Sequence, residues 1–279
     1  VKVPNAIVEC DWLFEHLNHD QLILLDATIP KVTAKENPTE SNNLCISSAR
    51  FFDIKGSFSD ANADFPNTMV SPQEFEKEAQ ALGINKDSCI IVYDEHGIYS
   101  SPRAWWMFRS MGFENIAVLN GGLPAWKAAG FPLETKMERK YTQGDFKSKP
   151  IHNSFVDADF VFNVLNDKKY QVFDARSLDR FLGTTPEPRA GVRSGHIPNA
   201  KSLPYFNLLN GKTMKPKEEL QSIFQEVSEK DAVLVFSCGT GITACVLALG
   251  AEISEVQDFK VYDGSWTEWG SLHDLPIET

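Results

Sequence analysis

The chain has 279 residues, 42% hydrophobic and 23% charged, proportions of a folded globular protein and not of a disordered one. Its length exceeds the roughly 100–150 residues of one usual domain, so either two compact units or one large one is expected. A net charge of -11 repels phosphate backbones and anionic lipid at long range, and no apolar run approaches the ~20 residues of a membrane helix, so no nucleic acid and no membrane partner is expected.

Taken in chain order, the opening stretch VKVPNAIVECDWLFEHL has no basic segment followed by an apolar one, so no signal peptide is visible and a cytoplasmic location is expected. The chain opens at Val1, not Met, which leaves room for a removed targeting segment, a mitochondrial one among them. LILLDA at 22–27 predicts a buried strand ending on Asp26. CIIVYDEHGIYS at 89–100 predicts a second buried strand that runs into a loop and an apolar helix, and AVLNGGLPAW at 117–126 closes the set. ETKMERKYTQGDFKSKP at 134–150 is polar, charged and without periodicity, which predicts a linker over 136–150.

The same landmarks then recur in the same order and at nearly equal separations: YQVFDA at 170–175, AVLVFSCGTGIT at 232–243 and KVYDGSWTEW at 260–269. Such self-similarity means one supersecondary set written twice. The fold class is therefore α/β, two tandem domains with a mostly parallel sheet flanked by helices in each: an N-terminal domain over 1–135, the linker, and a C-terminal domain over 151–279.

In open α/β sheets ligands gather where strand ends meet helix N-termini, so DEHGIYSS and CGTGIT are the two loops to compare. Asp94 stands in the first where Cys238 stands in the second, so the N-terminal domain is expected to be catalytically inactive. The five cysteines, Cys10, Cys45, Cys89, Cys238 and Cys245, have no spacing typical of zinc sites, and neither a metal nor a disulfide scaffold is expected. Cys89 and Cys245 read as core residues, whereas Cys238 falls at a strand-to-helix turn and is expected to be an exposed nucleophile. The amides of Gly239, Thr240, Gly241, Ile242 and Thr243, with the positive end of the following helix, make a cradle for an anion. Cysteine phosphatases use a similar cradle with an arginine six positions after the nucleophile; Ala244 stands there, which removes the main charge-stabilising group of phosphoryl transfer.

YDEHGIYSSPRAWWMFRSMGF and LNGGLPAW in the first half, with FDARSLDRFLGTTPEPRAGVRSGHIPNA, SCGTGITACVLALG and YDGSWTEW in the second, together resemble the tandem rhodanese family over nearly the whole chain. The resemblance implies a sulfurtransferase in which Cys238 carries sulfur as a persulfide, without metal or organic cofactor. Members that prefer thiosulfate place basic side chains directly after the cysteine. Gly239 and Thr240 stand there, so the resemblance is to the mercaptopyruvate-using members, with Arg180 and Arg189 binding the donor's carboxylate and keto oxygen.

The implied acceptor is a thiol, a thioredoxin-like protein or cyanide. The alternatives are a thiosulfate:cyanide sulfurtransferase, or a persulfide carrier that handles no free donor. His196 in SGHIPNA and Asp174 read as structural residues. The family's first-domain relay of a histidine and an aspartate falls on Thr68 and Lys55, so the relay is expected to be incomplete; Asp53, Asp60 and Asp64 lie close by in sequence.

Overall fold

The structure is a computed structural model that describes residues 1–31 and 43–279. It divides into two compact units, Val1–Phe58 with Val70–Ile151, and Ser59–Met69 with His152–Thr279.

The first unit is built on a five-stranded sheet in the order Arg50–Phe51, Leu22–Asp26, Cys89–Tyr93, Ile116–Leu119, Ile7–Val8, with every pairing parallel. Leu22 pairs with Cys89 and Asp26 with Tyr93, so the two longest strands end together. All five residues of Cys89–Tyr93 are buried, as expected of a parallel strand covered on both faces, and this is why the run CIIVY shows no alternation. The helix Ser101–Ser110 buries nine of its ten residues, Trp105 and Trp106 among them. Its Phe108 joins a cluster of rings with Phe52, Phe75, Phe113 and Phe146.

The stretch expected as a linker differs from that expectation. Leu133–Thr135 pairs antiparallel with Leu44–Ile46, and Phe146 is 0% exposed. Gly144 donates to the Gln80 carbonyl at 2.9 Å, Phe146 to that of Ile84 at 3.1 Å, and Lys149 to that of Met111 at 2.9 Å. A single buried ring, a row of backbone bonds and scattered side-chain bonds, among them Lys147 to Glu76 and Lys136 to Asp26, lay this polar stretch onto the first unit, and none of them leaves a periodic signal in the sequence.

The second unit repeats the topology. Its five-stranded sheet runs Lys201–Ser202, Tyr170–Asp174, Val233–Ser237, Phe259–Tyr262, Phe155–Val156, again parallel throughout and matching the first strand for strand. Trp266 and Trp269 fill one side of its core, and the helix Ala244–Ile253, from ACVLALGAEI, buries eight of its ten residues. Ser59–Met69 also belongs here. It is closed by a bridge between Ser59 and Met69 and by Asp60 donating to the Thr68 carbonyl at 2.9 Å, and Met69 donates its amide to Asp263 Oδ2 at 2.8 Å.

Candidate active site

Cys238 follows the central strand Val233–Ser237 of the second unit, at its carboxyl end. The strand-to-helix turn predicts an exposed thiol; in the structure Cys238 is 1% exposed. The reason lies in the loop that follows the neighbouring strand. Trp266 donates its amide to the Cys238 carbonyl and Thr267 to that of Gly239, both at 2.9 Å, and the Thr267 hydroxyl reaches the Gly239 carbonyl at 2.6 Å. The start of the helix Ser265–Ser271 is thereby pinned against the cysteine loop.

Ser265 lies outside the motifs that point to the cysteine loop. It is fully buried with φ +49°, a backbone conformation rare for residues other than glycine. Its Oγ accepts from the amides of Cys238 and Gly241, each at 3.1 Å, and lies 3.9 Å from Cys238 Sγ. As a donor the hydroxyl has two acceptors, the Tyr262 carbonyl at 2.8 Å and that same sulfur. Gly241 was expected to be part of the anion cradle, but its amide is thus spent on Ser265. Among the described residues the amides of Gly239, Thr240, Ile242 and Thr243 have no protein acceptor. The signal for Ser265 was present in the duplication: KVYDGSWTEW aligns it with Gly122 of AVLNGGLPAW, which has φ +54°.

The first unit shows what such a loop holds. Asp94, fully buried at the position of Cys238, accepts the amides of Tyr99, Ser100 and Ser101 on one carboxylate oxygen at 2.9, 3.0 and 2.9 Å, with the Ser101 hydroxyl at 2.7 Å. The other oxygen takes the His96 amide at 2.9 Å. An oxyanion carried by the chain itself satisfies this strand-to-helix turn.

Arg180 stands beside the cysteine loop: a Cβ on Gly239 would lie 3.2 Å from Arg180 Nη2. Glu187 holds it through Nε at 3.1 Å and Nη2 at 2.6 Å, and the same carboxylate takes Arg176 Nη1 at 2.8 Å. Arg176 in turn chelates Asp174 at the end of Tyr170–Asp174 and lies over the Trp266 ring, 4.6 Å from its centroid. Burial works against the Arg176 charge, but Asp174 and Glu187 more than offset it and raise its pKa.

Arg189 donates to the Thr267 hydroxyl at 3.3 Å. Burial and then the Arg180 charge lower its pKa, against the pull of Glu187. Two guanidiniums thus flank the cysteine loop, through Gly239 and through Thr267. The sites of Arg176 and Glu187, within FDAR and PEPR, were not singled out from the sequence.

The remaining expected residues lie as follows. His196 exchanges backbone bonds with Glu278, points Nδ1 at the Phe181 carbonyl at 2.8 Å and stacks on the Phe181 ring, a structural setting. Thr68 directs its hydroxyl to the Phe65 carbonyl at 2.8 Å, Asp60 caps Asn62, and Asp53 caps Gly56. Cys89 and Cys245 are core residues.

The Rhodanese-like domain profile matches residues 9–129 and again 158–272. The chain is 38% identical to the Arabidopsis thaliana thiosulfate/3-mercaptopyruvate sulfurtransferase 1, mitochondrial, over 100% of this chain and 79% of that protein. It is 36% identical to the 3-mercaptopyruvate sulfurtransferase of Escherichia coli strain K12, over 97% of each. The crystal structure of the Escherichia coli 3-mercaptopyruvate sulfotransferase SseA superposes with a TM-score of 0.83 at 32% identity, covering 94% of this chain and 99% of that one.

Proposed function

The chain belongs to the rhodanese family, carrying the Rhodanese-like domain twice, and from that premise we propose that it is a sulfurtransferase in which Cys238 takes sulfur from 3-mercaptopyruvate and passes it on. The Cys238 thiolate attacks the donor sulfur and a sulfur–sulfur bond forms. The donor's carbon–sulfur bond breaks, its electron pair leaving as the enolate of pyruvate, which takes up the proton of the donor thiol. Cys238 is left as a persulfide anion. A second thiol, free or on a thioredoxin-like protein, or cyanide, then removes the outer sulfur, so the two half-reactions follow ping-pong kinetics. No step calls for a metal or an organic cofactor.

The observation that carries this reading is the contrast between the two matched loops. In the first unit the amides close on the carboxylate of Asp94, and in the second four amides of the loop that follows Cys238 have no protein acceptor. The second loop suits an anion built on Cys238, and the first unit, its loop filled by its own side chain, takes no part in the chemistry. Arg180 and Arg189 suit a planar keto acid, which two guanidinium forks grip in a fixed orientation. Directly after Cys238 stand Gly239 and Thr240, which add no charge for a dianion such as thiosulfate. Five free cysteines fit a reducing compartment, either cytoplasm or mitochondrial matrix.

The test is intact mass after incubation with mercaptopyruvate or thiosulfate. One added sulfur is expected from mercaptopyruvate in the native protein, and none in Cys238→Ser. Sulfur loading retained in that variant would remove Cys238 from the mechanism, and faster loading from thiosulfate would overturn the choice of donor.

A further inference from the structure

Ser59–Met69 comes from the first half of the sequence yet belongs to the second unit, and one of its side chains meets the cysteine loop. Asn67 is buried at 7% exposure, in the left-handed backbone region at φ +63°, and donates Nδ2 to the Thr240 carbonyl at 3.4 Å. That carbonyl and the Gly241 amide are two ends of one peptide group. The N–H end donates to Ser265 Oγ at 3.1 Å, so this plane is held from both sides. The residue that follows it is glycine with φ +73°, which gives the backbone little steric resistance to rotating the plane by half a turn. Rotation would bring the carbonyl oxygen to the side of Ser265, whose Oγ lies 3.9 Å from Cys238 Sγ. A peptide dipole reversed there would oppose negative charge on the sulfur. Met69, two residues on, anchors the same segment to Asp263, two positions before Ser265.

We infer that Asn67 is a positioning residue that locks the Thr240–Gly241 peptide with its N–H toward Ser265, and so keeps the loop matched to an anion on Cys238. The inference rests on the function proposed above for Cys238. It is tested with Asn67→Gly and Asn67→Asp, both of which tolerate the positive φ, so neither strains the backbone. Glycine removes the donor, while aspartate keeps the shape and replaces the donor with an acceptor.

The measurements are sulfur loading from mercaptopyruvate, resolved into kcat and KM, and the pH profile of Cys238 alkylation by iodoacetamide, read on the Cys238 peptide. The expected result is a kcat lower by about fivefold to tenfold, the factor one neutral hydrogen bond is worth, with KM unchanged within about twofold. The alkylation profile moves to higher pH in both variants, further in Asn67→Asp. Native kcat and a native alkylation profile in both variants would overturn the lock, as would an effect confined to KM. If the native protein takes no sulfur from mercaptopyruvate, the functional reading fails, while the alkylation profiles of the three proteins still decide the lock.

Discussion

At the scale of single residues, the candidate site depends on carboxylates that hold arginines. The side chain of Glu187 is buried and shared between Arg176 and Arg180, so Arg180 reaches the cysteine loop already oriented. Removing the guanidinium with Arg180→Ala is expected to raise KM for mercaptopyruvate about tenfold to a hundredfold, the range for a hydrogen bond to a charged group. Glu187→Gln keeps the shape but weakens the hold, and is expected to raise KM by less, with kcat little changed. Steady-state kinetics of the two variants check this, and an unchanged KM in Arg180→Ala would remove it from donor binding.

Cys238, Arg180 and Arg189 were legible as candidates because each sits in a motif that carries the family resemblance, and the structure brings both arginines to the cysteine loop. The sequence hid the depth of Cys238, because the residues that bond to the cysteine loop, Ser265, Trp266 and Thr267, come from a different strand's loop. It also hid Asn67, since nothing in FPNTMV indicates that an amide side chain packs beside a loop more than 170 positions away.

At the scale of elements, the strands and the cysteine-bearing turn were readable because parallel, fully covered strands appear as uninterrupted apolar runs bounded by turn residues. The stretch 136–150 was not, because it is attached by backbone bonds, by scattered polar side chains such as Lys147 on Glu76 and Ser148 on the Pro72 carbonyl, and by one buried ring, none of which leaves a periodic pattern. Phe146 is its one apolar anchor, and Phe146→Ala is expected to cost about 3–5 kcal/mol, the usual range for truncating a fully buried phenylalanine. Lys149→Ala, where the backbone and not the exposed side chain makes the bond, is expected to change stability by less than about 0.5 kcal/mol. Urea unfolding of both variants checks the contrast, and a neutral Phe146→Ala would mean that the stretch is a tether after all.

At the scale of the whole molecule, the duplication extends to the strand order and to paired positive-φ positions at Gly122 and Ser265, while Asp94 stands where the second copy has Cys238. The excess of acidic groups carries a cost at one point. Burial, and to a smaller extent the charges of Asp157 and Asp263, raise the pKa of the half-buried Glu268 above the ordinary carboxyl value, against a hydrogen bond from Tyr262 that lowers it. For a raised carboxyl the stabilising contribution is complete below its ordinary pKa and is lost as pH rises through the folded value, so ionised Glu268 works against the fold at neutral pH. Glu268→Gln is therefore expected to raise Tm at pH 7, with the gain shrinking towards pH 4. Thermal unfolding at both values checks the sign, and a Tm lowered at pH 7 would reverse it.

Ser59–Met69 interrupts one repeat and completes the other, so the border between the copies in sequence is not the border between the folded bodies. A gene cut after residue 151 would strand those residues on the wrong fragment. The half bearing the thiol would be made without its own Asn67, and mixing the two pieces would restore it only if the polypeptides found each other. Covalent continuity between the copies therefore does more than tether them: it delivers a piece of one folded body from the other's stretch of message.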